Sequence, residues 1–143
     1  MPRRSFNGAT VLVTGAGGGL GRAIAEQFAA AGAHIVALDK DAAAVASLQA
    51  TLEARGRACL ALECDVTDAD ACLRAVVAAI ERFGALDVLV NNAGMSHRSG
   101  LAETDLAVIR RVMDVNFFGA VHCTKAALPC LIERRGLVIA ISS

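Results

Sequence analysis

The stretch "VTGAGGGLGRAIAEQF", Val13 to Phe28, places five glycines within nine positions and then continues as an amphipathic run. The apolar residues just before the glycines are typical of a buried strand, and the spacing over residues 20–31 predicts a helix. A strand, a glycine turn and a helix in this order bring backbone amides and the positive end of a helix dipole to one point. We therefore expect a nucleotide phosphate at this turn.

Strand-like and helix-like segments alternate along the rest of the chain. The predicted strands cover residues 9–14, 33–39, 58–65, 86–91 and 136–142, and the predicted helices cover residues 20–31, 41–55, 69–83 and 104–134. Gly119 is expected to divide the last helical segment into two helices. Because parallel strands joined by right-handed helical crossovers fit this alternation, the sequence predicts an α/β fold with a doubly wound parallel sheet.

Composition and charge limit the classes of partner. Fourteen basic residues balance fourteen acidic ones among 143 residues, so we expect no nucleic acid partner. The N-terminus lacks a signal-peptide pattern, and the purely apolar runs are too short to span a bilayer, which predicts a cytoplasmic protein without a membrane contact. Five cysteines without CxxC spacing predict reduced, mostly buried thiols and no metal site.

The glycine pattern narrows the choice of nucleotide. It fits T-G-x-x-x-G-x-G at Thr14, Gly15, Gly19 and Gly21, and it matches neither a strict G-x-G-x-x-G nor a P-loop. Asp39 ends the second predicted strand, where a carboxylate can accept hydrogen bonds from an adenosine ribose and repel a 2′-phosphate. We therefore expect NAD as the cofactor rather than NADP, although the adjacent Lys40 weakens that preference.

Two further motifs point to a known family. "NNAG" at Asn91 to Gly94 follows the fourth predicted strand, and "VMDVNFFGA" places Asn116 in the next helical segment. Together with the glycine turn, they resemble the classical short-chain dehydrogenase/reductase family over the whole chain. The resemblance implies a Rossmann-type sheet with the strand order 3-2-1-4-5. It also implies one NAD(P)-binding domain over residues 1–143, which stops after its fifth strand. The cofactor-binding residues that it implies are Thr14, Gly15, Gly19, Leu20, Gly21, Asp39, Asp65, Val66, Asn91, Ala93 and Gly94.

The resemblance also implies a reaction, which is hydride transfer between a nicotinamide and a ketone or secondary alcohol. The family uses a serine, a tyrosine, a lysine and an asparagine, and here Ser143 matches the serine and Asn116 the asparagine. The 143 residues contain no tyrosine, and their only lysines are Lys40 and Lys125. We therefore expect the parent protein to be an enzyme and this chain alone to be inactive. Homodimers or homotetramers formed through residues 104–134 are implied as well.

Two other functions remain open from the sequence. The chain could be a dinucleotide-binding or interaction module that performs no catalysis. A methyltransferase with an adenosyl cofactor would explain Asp39, but it would leave "NNAG" and Asn116 without a role.

Overall fold

The computed structural model describes residues 5–142 and contains one five-stranded sheet. All strand pairs are parallel, and the order is β3-β2-β1-β4-β5, which confirms the α/β prediction and the strand order 3-2-1-4-5. The strands are β1 Thr10–Thr14, β2 His34–Asp39, β3 Cys59–Glu63, β4 Val88–Asn91 and β5 Leu137–Ala140.

The helices lie between the strands as the apolar spacing predicts. They are α1 Gly19–Ala30, α2 Ala42–Glu53, α3 Ala69–Phe83, α4 Leu106–Met113 and α5 Gly119–Glu133, with a short 3-10 turn at Leu101–Glu103. Asp41 and Asp68 cap α2 and α3 by accepting hydrogen bonds from first-turn amides, and Gly84 ends α3 with a φ of 82°. Such caps satisfy amides that have no partner inside the helix, so they fix where each helix begins.

The core consists of two apolar layers, one on each face of the sheet. Side chains alternate along β1, so Val11 and Val13 pack beneath α1 and α2, while Leu12 packs beneath α3 and α5. Strands buried on both faces carry nearly continuous apolar residues, which explains the sequence of β1 and β4. The layers leave the carboxyl ends of the strands together at one edge, where the sequence places its polar motifs.

Gly119 does not divide the last helical segment, so that prediction is wrong. Residues Asp114–Phe118 form a π-helical turn that joins α4 directly to α5, and Gly119 itself has ordinary helical angles. A Cβ atom at Gly119 would lie 2.5 Å from Cγ2 of Val66, so the glycine is needed for close packing. A glycine that permits a close approach has the same sequence signature as one that ends a helix.

The prediction of a cytoplasmic protein without a membrane-length segment is also wrong. Leu106–Glu133 is a continuous helix of 28 residues that is long and apolar enough to cross a membrane by length and composition. Charged residues within this helix, such as Arg110, Arg111 and Lys125, divide its apolar residues into short runs, so the length of the apolar runs alone does not indicate it. One face of the helix packs in the core through Cys123, Ala127 and Leu131.

The five cysteines are free thiols, as predicted, and four of them are buried. Burial raises the pKa of Cys59 to about 12. The contact between the Cys72 and Cys123 sulfur atoms, 3.4 Å apart, raises the pKa of Cys72 to about 12 as well. The thiolate is the reactive form of cysteine, and a raised pKa keeps these thiols protonated near neutral pH. They therefore act as small apolar core residues.

Candidate functional site

The glycine turn between β1 and α1 packs tightly against the loop after β4. Gly15 has a φ of 64°, and a Cβ there would lie 3.0 Å from the Cα of Ala93. A Cβ at Gly21 would overlap the carbonyl oxygen of Gly15 and the side-chain amide of Asn92. These two glycines therefore allow strand, turn and helix to approach one another.

Gly18 and Gly19 differ from Gly15 and Gly21, because a Cβ atom at either position would meet no atom within 4 Å. Gly18 is the N-cap of α1, and it provides no side-chain hydrogen bond to the first turn. That turn also contains no acidic residue. The N-terminus of α1 therefore faces open space with uncapped amides, an arrangement that suits an anion.

Asp39 connects the end of β2 to the glycine turn. Its Oδ2 accepts a hydrogen bond from the Gly17 amide, and its Oδ1 accepts one from the Asp41 amide, both at 3.0 Å. Glycine at position 17 is required here, since a Cβ would lie 2.9 Å from Oδ2. The carboxylate is thus held in place next to the turn, where the sequence predicts it.

Thr14 and Asn92 tie β1 to the loop after β4. The buried Thr14 hydroxyl accepts hydrogen bonds from the amides of Asn92 and Ala93 at 3.0 and 2.9 Å. The Asn92 side chain in turn donates to the carbonyl oxygens of Thr14 and Gly15. Asn92 was not among the predicted cofactor-binding residues, although it lies within the "NNAG" motif.

A cleft of about 200 Å³ opens at the ends of β1, β2 and β3, and we call it the β3-side cleft. It brings together six of the predicted residues, which are Gly15, Asp39, Asp65, Val66, Ala93 and Gly94. Lys40, Met95 and Arg111 also line it, and none of them was predicted as a site residue. Arg111 lies on α4, and no local motif marks it.

Asp65 is the second carboxylate of the β3-side cleft. Its Oδ1 accepts hydrogen bonds from the Thr67 amide at 2.9 Å and from the Thr67 hydroxyl at 2.8 Å. These bonds, with smaller contributions from Arg111 and Lys40, lower the pKa of Asp65 below its ordinary value. Arg111 lies 3.8 Å from Oδ2 of Asp65, so the charge is paired but accessible.

A larger cleft of about 800 Å³ lies beyond β4 and β5, and we call it the β5-side cleft. Asn91, Asn116, Thr124 and Lys125 are among its lining residues. The Asn116 side chain accepts a hydrogen bond from the Met95 amide at 2.8 Å and donates one to the Met95 carbonyl at 2.9 Å. Asn116 therefore holds the loop that separates the two clefts. Ser143 lies outside the described residues.

Asn91 carries a buried polar atom that has no partner among the described residues. Its Nδ2 donates to the Thr124 hydroxyl at 3.0 Å, whereas its Oδ1 accepts no hydrogen bond. An unpaired buried acceptor costs free energy, and such atoms are uncommon in folded proteins. Its position in the β5-side cleft is consistent with a polar ligand there.

Comparison with known proteins agrees with this geometry. The family model for short chain dehydrogenase matches residues 9–143. The chain belongs to the short-chain dehydrogenase family. The sequence resemblance is thereby confirmed, and with it the expectation of a family of dehydrogenases and reductases.

Curated relatives cover nearly the whole chain. Dehydrogenase/reductase SDR family member 7B of Bos taurus is 41% identical and covers 99% of this chain and 46% of its own length. Meso-2,3-butanediol dehydrogenase of Serratia marcescens is 38% identical, with 96% of this chain and 54% of its own length covered. Cis-1,2-dihydrobenzene-1,2-diol dehydrogenase of Pseudomonas putida is 39% identical, with 94% and 50% covered. The chain thus spans about half the length of these relatives.

Proposed function

We propose that residues 1–143 bind NAD as part of an oxidoreductase, which transfers a hydride between the nicotinamide and a ketone or secondary alcohol. The observation that carries the proposal is the meeting of the glycine turn, Asp39 and the Asp65–Val66 segment at one sheet edge. Family membership and relatives named as dehydrogenases of diols support it.

The described residues fit a dinucleotide in both of its halves. The uncapped start of α1, next to Gly18 and Gly19, would receive the pyrophosphate, and Asp39 would accept hydrogen bonds from the adenosine ribose. Asp65 and Val66 would line the adenine, while residues 91–94 would lie beside the nicotinamide. When bound, the cofactor supplies or accepts the hydride.

The charge of Asp39 favours NAD over NADP in this proposal. Both carboxylate oxygens already accept amide hydrogen bonds, so the side chain cannot turn away from a 2′-phosphate without losing them. Lys40 and Arg111 are the cations that line the same cleft. Arg111 is paired with Asp65, which leaves Lys40 as the principal opposing charge.

Asn116 would act by positioning the loop between the clefts. Both the oxygen and the nitrogen of its amide bond to the backbone of Met95, so the side chain is held in one orientation. The tyrosine that the family uses as acid and base is not among the 143 residues. We infer that residues 1–143 bind the cofactor and that proton transfer is performed by residues outside them.

Self-association is part of the proposal. Met113, Phe117, Phe118, Leu128 and Ile132 are large apolar residues exposed along the helix Leu106–Glu133. Exposed apolar patches commonly mark protein interfaces. A homodimer or homotetramer formed through this helix would remove these side chains from water.

Calorimetric titration of the full-length protein with NADH, NADPH and an adenosyl methyl donor tests the proposal. We expect NADH to bind most tightly and the methyl donor not to bind. Tighter binding of NADPH would refute the role of Asp39, and binding of the methyl donor alone would favour a methyltransferase. Oxidation of NADH with a panel of ketones tests turnover, and binding without turnover would favour the non-catalytic module.

A further inference from the structure

His122 connects the long helix to the β3-side cleft. Its Nδ1 lies 2.8 Å from the carbonyl oxygen of Val66. Since a carbonyl oxygen can only accept, the ring must carry its proton on Nδ1 and donate it. The sulfur of Cys72 lies 3.6 Å from the same oxygen, so the carbonyl of Val66 is contacted from both α5 and α3.

Gly119 brings α5 close enough for this contact. It lies one turn before His122 on the same helix, and its missing Cβ leaves room for the side chain of Val66. Val66 is consequently only 7% exposed, although it lines an open cleft. Helix α5 therefore holds both the carbonyl and the side chain of this residue.

The segment around Val66 has no regular structure of its own to fix it. Residues 64–68 connect β3 to α3 as a turn, and α3 begins only at Ala69. Thr67 fixes the Asp65 carboxylate from within the turn. Backbone hydrogen bonds from Cys64 to Asp39 and from Asp68 to Asp65 hold the turn on either side of Val66. The contacts from α5 and α3 hold the Val66 carbonyl between them.

We propose that His122 is a positioning residue for the adenosine half of the cofactor, acting through Val66. This inference rests on the proposed NAD-binding function. His122 is neither among the residues that line the β3-side cleft nor adjacent in sequence to any that are. It would thus affect the ligand only by keeping the adenine-facing wall in place.

Two substitutions at position 122 distinguish the effect of the hydrogen bond from the effect of the size of the ring. H122N retains an amide donor near the position of Nδ1, whereas H122L fills similar space without a donor. We expect H122L to weaken binding of NADH and of AMP by about 3- to 10-fold, the range for one lost hydrogen bond. H122N should stay within about 2-fold of the wild type, because its donor is retained.

The nicotinamide half is the control ligand. Reduced nicotinamide mononucleotide lacks the adenosine, so its affinity should be the same in the wild type, H122N and H122L. Equal weakening of AMP and of the mononucleotide by H122L would indicate a general structural effect and overturn the proposal. Unchanged AMP binding by H122L would overturn it as well.

Amide hydrogen exchange of the ligand-free protein tests the same contact without any cofactor. H122L should accelerate exchange in residues 66–68 relative to the wild type, and H122N should not. Exchange that is equal in all three proteins would overturn the positioning role. A wild-type protein that binds none of the three ligands would refute the proposed function, and the exchange result would still decide whether His122 holds Val66.

Discussion

Strand β1 is buried at all five of its positions, whereas β5, at the edge of the same sheet, alternates between half-buried and exposed residues. The two clefts also differ in how firmly their lining residues are held. The two carboxylates of the β3-side cleft are fixed by hydrogen bonds from neighbouring residues, Asp39 by the Gly17 amide and Asp65 by Thr67. The β5-side cleft is bordered by exposed apolar side chains, among them Phe117, Val138 and Ile141.

The difference shows which part of the proposed site is preorganised by this stretch of chain. In the β3-side cleft, the polar groups are held by hydrogen bonds before any ligand arrives, so a ligand would lose little free energy in ordering them. In the β5-side cleft, hydrogen bonds also hold Asn116 and Asn91, but Oδ1 of Asn91 has no partner among the described residues. Substitutions should therefore be most harmful on the β3 side.

The largest contrast is expected between two glycines. We expect Gly21→Ala to destabilise the fold by about 3 kcal/mol, because its Cβ would overlap the Gly15 carbonyl and close packing leaves no room for it. Gly94→Ala, at the border of the two clefts, should cost less than about 1 kcal/mol, since its Cβ would lie 3.4 Å from the Asn116 amide oxygen. Urea unfolding of both variants measures the difference. Equal losses would contradict the steric difference between the two positions.

A smaller effect, on selectivity, is expected at Asp39. Asp39→Asn removes the charge but keeps the size of the side chain, so the preference for NADH over NADPH should fall by roughly 10-fold. Asp41→Asn is the matched control, because Asp41 caps α2 and does not line the β3-side cleft. Its cofactor preference should stay that of the wild type. A preference that is unaltered in Asp39→Asn would assign the selectivity to another residue.

The smallest expected effect concerns pH. Thr67→Val removes the hydroxyl that bonds to Asp65, so the pKa of Asp65 should rise toward its ordinary value of 3.8. A lowered pKa in the folded state stabilises the protein above the unfolded-state pKa, and this contribution is lost as pH falls through the folded-state value. The variant should therefore be less stable than the wild type near neutral pH, and the difference should shrink below about pH 4.

The side chain of Asp65 is 44% exposed, so solvent screening keeps this stability difference small. Carboxyl NMR titration of both proteins measures the pKa directly. A pKa that is the same in both would show that the Thr67 hydroxyl does not contribute to lowering it.

Local patterns were sufficient to predict the sheet. Strand β1 and the turn after it combine a buried apolar run with a cluster of glycines, and Asp39 ends β2 at a predictable place. These features depend on neighbours in sequence, so they can be recognised without the fold. The N-caps Asp41 and Asp68 are local in the same sense, because each accepts hydrogen bonds from the first turn of its own helix.

Contacts between distant segments could not be predicted in this way. Arg111 reaches Asp65, and His122 reaches Val66, only because α4 and α5 pack across the β3–α3 turn. Nothing in the sequence near Arg111 or His122 indicates these partners. Gly119 was misinterpreted because its role depends on Val66, which lies on another element.

The π-helical turn at Asp114–Phe118 constrains the length of the long helix as well as its sequence. It lies between Arg111 and His122, and it contains Asn116. Each residue of an α-helix advances the direction of its side chains by about 100°, so deleting one residue from this turn would rotate one half of the helix against the other. Asn116 and His122 could not then both keep Met95 and Val66 as partners. Over evolution, this helix should accept many exchanges of one residue for another and very few changes in the number of its residues.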